Sequence, residues 1–396
     1  MNKAEEPVCQ GMLVLELASV LAGPSVGQFF AELGATVVKL ENAVTKGDVT
    51  RTWKLASERI DTDSSAYFSA ANWGKLSLGL DITQPTALEV VHRLAASADV
   101  VIASYKPGDA EKLQVDYHTL RQLNPRLIYG HITGYGADDK RAGYDAVVQA
   151  ESGFMYMNGD PDGQPTKMPV ALMDILAAHQ LKEGILVALW QRERTGRGQY
   201  VTVSLLEAAV SALANQATNY LVAGYNPQRM GSGHPNIVPY GSVFMSKEGL
   251  PLVLAIGDDR QFSRLCAVLG APDLAVNPDF ATNEARVHHR AIINAKLKEL
   301  IGQQERSSLL EALHTRHVPA GAVNSIAEVF EQPLARQMCL HGSAGSAGLR
   351  QVAFKESAAG IAALTPPPAY GQHTWQVLQE LAGLSPEELT ELQRQV

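Results

Sequence analysis

The sequence predicts an α/β protein with a mainly parallel sheet and a second, smaller α+β domain. Three observations predict it. Residues Leu13 to Glu41 read as an apolar strand, an Ala22-Gly23-Pro24 turn, an amphipathic helix and a second apolar strand, which is a βαβ unit. Strands and helices keep alternating after it, and alternation implies right-handed crossovers and a sheet covered on both faces. Beyond Gly224 the composition turns to Gly, Pro and Asn, as at a domain boundary.

Taken in order, a strand is predicted near Leu76–Ile82, a helix over Pro85–Ala98, a strand over Val100–Tyr105, a helix over Tyr117–Leu123 and a strand over Leu127–Thr133. Ile175, Leu181, Ile185, Leu189 and Trp190 form the apolar stripe of a helix that Thr195-Gly196 ends. A strand over Tyr200–Leu205 and a long helical run over Leu206–Val222 follow. In the smaller domain, Val243–Ser246 and Leu252–Ile256 read as paired strands, with helices near Arg260–Leu269, Asn283–Leu300 and Glu305–Arg316. A strand at Ala322-Val323 and a helix at Ile326–Phe330 resume the earlier style, and a helix over Pro386–Arg394 with Ser385 as its N-cap closes the chain. The expected division is 1–205 as the first part of the large domain, 206–224 as a linker helix, 225–324 as the small domain and 325–396 as a return to the large one.

The 396 residues carry a formal charge of −8, which disfavours nucleic acid or an anionic membrane surface, because such partners need clustered Lys and Arg. With 46% apolar residues, each of two domains has enough to bury a core. Cys9, Cys266 and Cys339 are far apart and show no metal-ligand spacing, so a reducing compartment is expected. The N-terminal segment has no apolar core of signal-peptide length, and no stretch approaches the roughly 18 apolar residues of a membrane span. The expectation is a cytoplasmic protein.

Asp174 is the leading catalytic candidate. It follows Met168-Pro-Val-Ala-Leu-Met and precedes a long helix, where free N–H groups and the helix dipole favour a carboxylate. Local sequence alone reads it as an N-cap, but in an apolar cleft a poorly hydrated carboxylate is also a nucleophile towards an activated acyl group. Gly231-Ser-Gly-His-Pro-Asn-Ile-Val-Pro-Tyr-Gly241 has the composition of a closing lid or of an interdomain connection. Asn72-Trp73-Gly74-Lys75 opens one strand and Ser104-Tyr105-Lys106-Pro107-Gly108 closes another; each pairs a lysine with an aromatic, which suits a phosphate and a stacked purine, although surface lysines are usually just solvated. Arg51 reads the same way. Glu41 ends the second strand where a dinucleotide fold places its ribose acid, yet GxGxxG is missing. His288, His289, His314 and His317 lack partner carboxylates at ligand spacing, so no metal site is expected.

In order and spacing, LASVLAGP (17–24), LGATVVKLE (33–41), NWGKLSLGLDI (72–82), ADVVIASYKPG (98–108), LNPRLIYGHITGYG (123–136), GYDAVVQAESG (143–153), RTGRGQYVTVSLLEA (194–208) and GSGHPNIVPYG (231–241) resemble a family III CoA-transferase, the group that includes formyl-CoA and carnitine CoA-transferases. The resemblance implies a Rossmann-like large domain formed by both chain ends, a small inserted domain, and a homodimer of interlocked rings. It implies coenzyme A and acyl-CoA as substrates with no tightly bound cofactor, a small carboxylic acid as the other substrate, and Asp174 as the catalytic carboxylate. By the same mapping Ala22, Lys75 and Lys106 would line the CoA site, with Tyr105 beside Lys106; Trp73, which stands where many relatives carry Arg, would instead offer a face to the adenine. Gly231, Gly233, His234 and Tyr240 would form the lid, and Tyr144 would face the acyl group.

The chain departs from many relatives at three places, with NWGK for NRGK, SYKPG for NFRPG, and Ala137-Asp138-Asp139 after GYG. Lys106 therefore exchanges a planar bidentate donor for a point charge. A racemase shares the resemblance, but it needs two bases across an acidic α-carbon, and Tyr144 stands where a histidine is typical. A nucleotide-binding module without chemistry is the third reading.

Overall fold

The computed structural model describes residues 6–342, 345–355 and 360–393. Six strands form one parallel sheet: β1 (Leu13–Leu17), β2 (Thr36–Asn42), β3 (Lys75–Leu80), β4 (Val100–Ala103), β5 (Ile128–Thr133) and β6 (Tyr200–Ser204), in the order β3-β2-β1-β4-β5-β6. The strand order reverses between β1 and β4, which opens a crevice at their carboxyl ends. Continuous apolar runs suit strands buried on both faces. Leu15, Val38, Leu78, Val101 and Tyr129 pack with Val90, Val91 and Leu94 of the Pro85–Ser97 helix and with Val377 and Leu378 near the C-terminus. The Ala22–Glu32 helix is buried along its whole length, and both it and the 24-residue Leu172–Thr195 helix pack on the sheet.

This sheet and its helices make one compact unit, drawn from the described residues of 1–152, 168–218 and 337–396. The second unit comprises 153–167 and 219–336. There β7 (Tyr240–Met245), β8 (Pro251–Ala255) and β9 (Ala320–Ala322) form an antiparallel sheet. Its core joins Phe244, Leu252 and Leu254 to Phe262, Leu265, Ile293, Leu297 and Leu313 of three helices.

Several elements differ from the sequence expectation. The run Leu206–Val222 is two helices, Leu205–Ser211 and Ala214–Ala223, because the ladder breaks where Ala214 takes φ = 48°. Asn283–Leu300 likewise splits at His289 into Asn283–His288 and Arg290–Ile301. The C-terminal helix starts at Pro386 as expected, and its cap is reciprocal: Glu388 N donates to Ser385 Oγ (3.3 Å) while Ser385 N donates to Glu388 Oε2 (2.8 Å). The expected end at Arg394 lies outside the described residues. A hairpin of three-residue strands, Cys339–His341 and Ala347–Leu349, is too short to leave an alternation in sequence. Among the described residues no helix is long and apolar enough to cross a membrane, and no group of His, Cys, Asp and Glu could hold a metal ion.

Candidate active site

Two adjoining clefts open at the carboxyl ends of the strands of the large unit. One, of about 470 Å3, runs along Leu17, Glu41, Asn42, Lys46, Asp48 and Leu80. The other, of about 290 Å3, lies at the β1/β4 reversal and is lined by Ala22, Lys106, Thr133, Tyr144, Asp145 and Asp174. Ser19, Ser104 and Tyr105 belong to both, so the two clefts share a wall.

Asp174 sits in the smaller cleft, at the third position of the Leu172–Thr195 helix. It is not the N-cap: that residue is Ala171, which supplies no side-chain acceptor. Asp145 does the capping from outside, its Oδ1 accepting Met173 N (2.8 Å) while Oδ2 accepts Gln149 Nε2 (2.7 Å). Two glycines bring Asp145 there. A Cβ on Gly134 would stand 2.5 Å from Gly143 Cα, and one on Gly143 would stand 2.1 Å from Gly134 Cα, so the segment before Asp145 crosses the end of β5 backbone to backbone. Among the described residues nothing donates a hydrogen bond to the Asp174 carboxylate. Burial, and then the charge of Asp145, push its pKa up to about 7. Across the cleft the Ala22–Glu32 helix begins without a side-chain cap, and the N–H groups of Ala22 and Gly23 have no acceptor among the described residues. An underhydrated carboxylate can attack a carbonyl, and free N–H donors lining the same cleft can stabilise the oxyanion that forms.

Beneath these clefts lies a layer of paired charges. Glu16 of β1 accepts Lys39 Nζ at Oε1 (3.0 Å) and Lys75 Nζ at Oε2 (2.6 Å), and Lys39 also meets Asp48 (2.9 Å) and Ala18 O (2.8 Å). Burial works against the Lys39 charge, but Glu16, Asp48 and Glu41 outweigh it and raise its pKa. Asp48 in turn accepts the N–H of Val20, which is held at φ = 71°, and so shapes the loop before Ala22.

This layer corrects two expectations. Lys75 is 1% exposed and already bonded to Glu16, Pro24 O (2.9 Å) and Asn72 Oδ1 (2.9 Å), so it has no donor directed at a ligand phosphate. Trp73 is fully buried and presents no face to an adenine. Arg51 is also interior rather than solvated, and Glu41, although it borders the larger cleft, spends its carboxylate on Arg51, Asp48 N and Ser77 Oγ rather than on a ribose. Arg51 and Glu41 form a bidentate pair (2.8 and 2.7 Å), with Arg51 stacked 3.8 Å from the centre of the Phe68 ring. Burial opposes ionisation of Glu41, yet Arg51 and Lys39 hold its pKa below the usual value.

Of the other expected site residues, Ala22, Tyr105, Lys106 and Tyr144 line the smaller cleft with Asp174, Lys106 and Tyr144 being exposed. Burial pushes the Tyr105 phenol up to about 12. Gly231, Gly233, His234 and Tyr240 belong to the second unit and form a closed loop there. His234 N donates to Tyr240 O (2.9 Å), the two rings meet edge to face, and a Cβ on Gly241 would stand 2.0 Å from Ser232 O. Sequence reasoning missed His131, which holds the Tyr105 carbonyl, and Tyr67, whose phenol is pushed up by burial and by the charges of Asp174 and Asp145. A lone histidine in an apolar strand and a tyrosine in a four-residue helix carry no pattern that would have exposed them.

A parallel sheet with a crevice at its switch point, holding a carboxylate that no donor reaches among the described residues, has the form of a ligand-binding enzyme site. The chain matches the description of CoA-transferase family III over residues 9–374, and it belongs to that family. It is 40% identical over 388 residues to the succinate–glutarate CoA-transferase of Agrobacterium fabrum, covering 95% of this chain and 96% of that one. It is 33% identical over 380 residues to the human succinyl-CoA:glutarate CoA-transferase, covering 94% of this chain and 85% of that one. A crystal structure of a CAIB/BAIF family protein from Brucella suis superposes with a TM-score of 0.85 at 41% identity, over 95% of this chain and 100% of that one.

Proposed function

We propose that this family III CoA-transferase moves CoA between small dicarboxylic acids, with Asp174 as the nucleophile. Asp174 attacks the carbonyl of the donor thioester, the C–S bond breaks, and an aspartyl-acyl anhydride and CoA thiolate result. The thiolate attacks the aspartyl carbon of that anhydride, releasing the donor acid as its carboxylate and leaving an aspartyl-CoA thioester. The acceptor carboxylate displaces the thiolate from that thioester, and the thiolate then takes the new acyl group, which restores the Asp174 carboxylate. No proton is gained or lost over the cycle. The free N–H groups of Ala22 and Gly23 would receive the thioester oxygen, and the two clefts, as one track past Ser19, Ser104 and Tyr105, would hold the rest of CoA, so that remote binding positions the carbonyl.

The observation that carries this reading is the state of Asp174, half-buried, unpaired among the described residues and raised to about 7. The acid class follows the names of the two relatives above. The racemase reading finds less support, because Tyr144 takes the position where a histidine is typical and Asp145, the other acid of the cleft, is spent on Met173 N and Gln149 Nε2. Leu186, Val187 and Trp190, exposed on the Leu172–Thr195 helix, support burial against a second copy, as an interlocked homodimer requires. We place the enzyme in the cytoplasm, acting without a tightly bound cofactor.

Incubation with succinyl-CoA followed by hydroxylamine and peptide mass spectrometry tests the assignment. The peptide bearing Asp174 should carry a hydroxamate. Undiminished transfer with that peptide unmodified would overturn it.

A further inference from the structure

His131, near the end of β5, touches neither cleft, yet it is the only side chain among the described residues that bonds the backbone of the Ser104–Tyr105–Lys106 turn between them. Its Nε2 lies 2.8 Å from Tyr105 O, and its Nδ1 lies 2.8 Å from Tyr200 Oη. A carbonyl oxygen can only accept, so Nε2 carries the proton. Burial lowers the pKa of the ring, which keeps it neutral, and Nδ1 then accepts from the Tyr200 hydroxyl. Tyr200 is locked in turn, stacked on Tyr117 with ring centres 5.2 Å apart, and Tyr129 packs edge-on beside it. The chain of contacts therefore runs from a rigid aromatic cluster on the sheet, through one histidine of defined tautomer, to the turn whose residues line both clefts.

We propose that His131 is a positioning residue for the CoA-binding turn, fixing the Tyr105 carbonyl, and with it the direction of Tyr105 and Lys106, through its Nε2–H. The inference rests on the reading of the two clefts as the CoA track. It separates His131 from the chemistry: the ring sets how well the coenzyme is held and leaves the reactivity of Asp174 alone.

Two substitutions of one chemistry test it. Gln extends its amide nitrogen to about the depth of Nε2 and keeps the bond to Tyr105; Asn stops near Nδ1 and loses it. Binding of CoA itself, measured by calorimetry without turnover, should weaken about tenfold in H131N and stay within about twofold of wild type in H131Q, the loss expected for one buried hydrogen bond. In steady state, KM for the acyl-CoA should rise by the same factor in H131N, while kcat and KM for the acid acceptor stay within about twofold. H131A, expected to behave as H131N does, serves if the Asn side chain packs poorly. Equal CoA affinity in wild type, H131N and H131A would overturn the inference while leaving the CoA track intact. A loss confined to kcat would also overturn it. Wild-type protein that binds no CoA would instead remove the reading on which the inference rests.

Discussion

Glu16 and Asp174 are both carboxylates of the large unit, and the fold treats them in opposite ways. Glu16 is fully buried and receives an ammonium on each oxygen. Asp174 is less buried, yet it meets no donor among the described residues and faces the negative charge of Asp145. Burial alone does not make a functional group; what matters is whether burial is compensated. Under the loop at Ala18–Leu21 the compensation is nearly complete, with Lys39, Asp48 and Lys75 closing the layer around Glu16, and the result is a rigid floor. At the start of the Leu172–Thr195 helix Asp145 takes the capping donor, and Asp174 is left without a hydrogen-bond donor among the described residues, as the proposed nucleophile requires.

The contrast is sharpest in activity. Asp174→Ala should lower kcat for CoA transfer by about 10^4 or more, the scale of losing a covalent nucleophile, with a folded protein by circular dichroism. Glu16→Gln should do the reverse. It keeps the shape but leaves Lys39 and Lys75 without their shared anion, and loss of one partner from a buried pair costs about 3–5 kcal/mol. We expect the low end, because Lys39 retains Asp48 and because burial already draws the Lys75 pKa down, so that Lys75 can escape by losing a proton. Urea unfolding measures the effect, and a variant as stable as wild type would mean that the layer is solvated after all.

The two kinds of acid also predict opposite pH slopes. Burial opposes the Asp48 charge, but Lys39 and the Thr50 N–H outweigh it and depress its pKa. Its contribution to stability is thus fully present above the ordinary carboxylate pKa and is lost as the pH falls from there through its depressed folded value. The Asp174 pKa is raised, so the folded state holds that proton more tightly; its contribution is full below about pH 4 and is lost as the pH rises through about 7. Asp174→Asn removes that loss. The variant should be more stable than wild type by about 1–2 kcal/mol at pH 8, below the ceiling of about 4 kcal/mol for a three-unit shift because the group is partly solvated. The gain should vanish near pH 4. Activity of the wild type should climb about tenfold per unit below pH 7 in kcat/KM and level off above it, since only the ionised carboxylate attacks. A flat profile from pH 5 to 8 would break the link between isolation and reactivity.

Much of the sheet was legible in the sequence because its signals are local. The runs LVLEL and TVVKLE each announce a strand within a few residues, and β1 and β2 stand there; Ala22-Gly23-Pro24, read as a turn, is instead the first turn of the Ala22–Glu32 helix. Asp174 was legible as an acid at a helix start, but its state was not, since the group that leaves it unpaired comes from the far side of the glycine crossing at Gly134 and Gly143. Lys75 and Trp73 were misread for a related reason. A lysine beside an aromatic at a strand end looks solvated, and the partner that draws Lys75 inward, Glu16, is 59 residues away. The helix break at Ala214 turns on one residue's φ, which composition does not encode. Pairings of long sequence separation decide which charges are spent, and one sequence read along its length does not contain them.

Lys106 offers the smallest and most discriminating effect. Unlike Lys75, it is exposed, stands at the cleft with Asp174, and no ion pair among the described residues engages it. If it meets a CoA phosphate, Lys106→Ala should raise KM for acyl-CoA about three- to fivefold at low salt, with the difference shrinking at 0.5 M salt as screening removes the attraction in both proteins. Lys106→Arg should lower KM below that of wild type, because a planar fork can meet two phosphate oxygens where an ammonium meets one. An alanine effect that persists at high salt would assign Lys106 a packing role, and the exposed lysine would then belong with the buried one as structure.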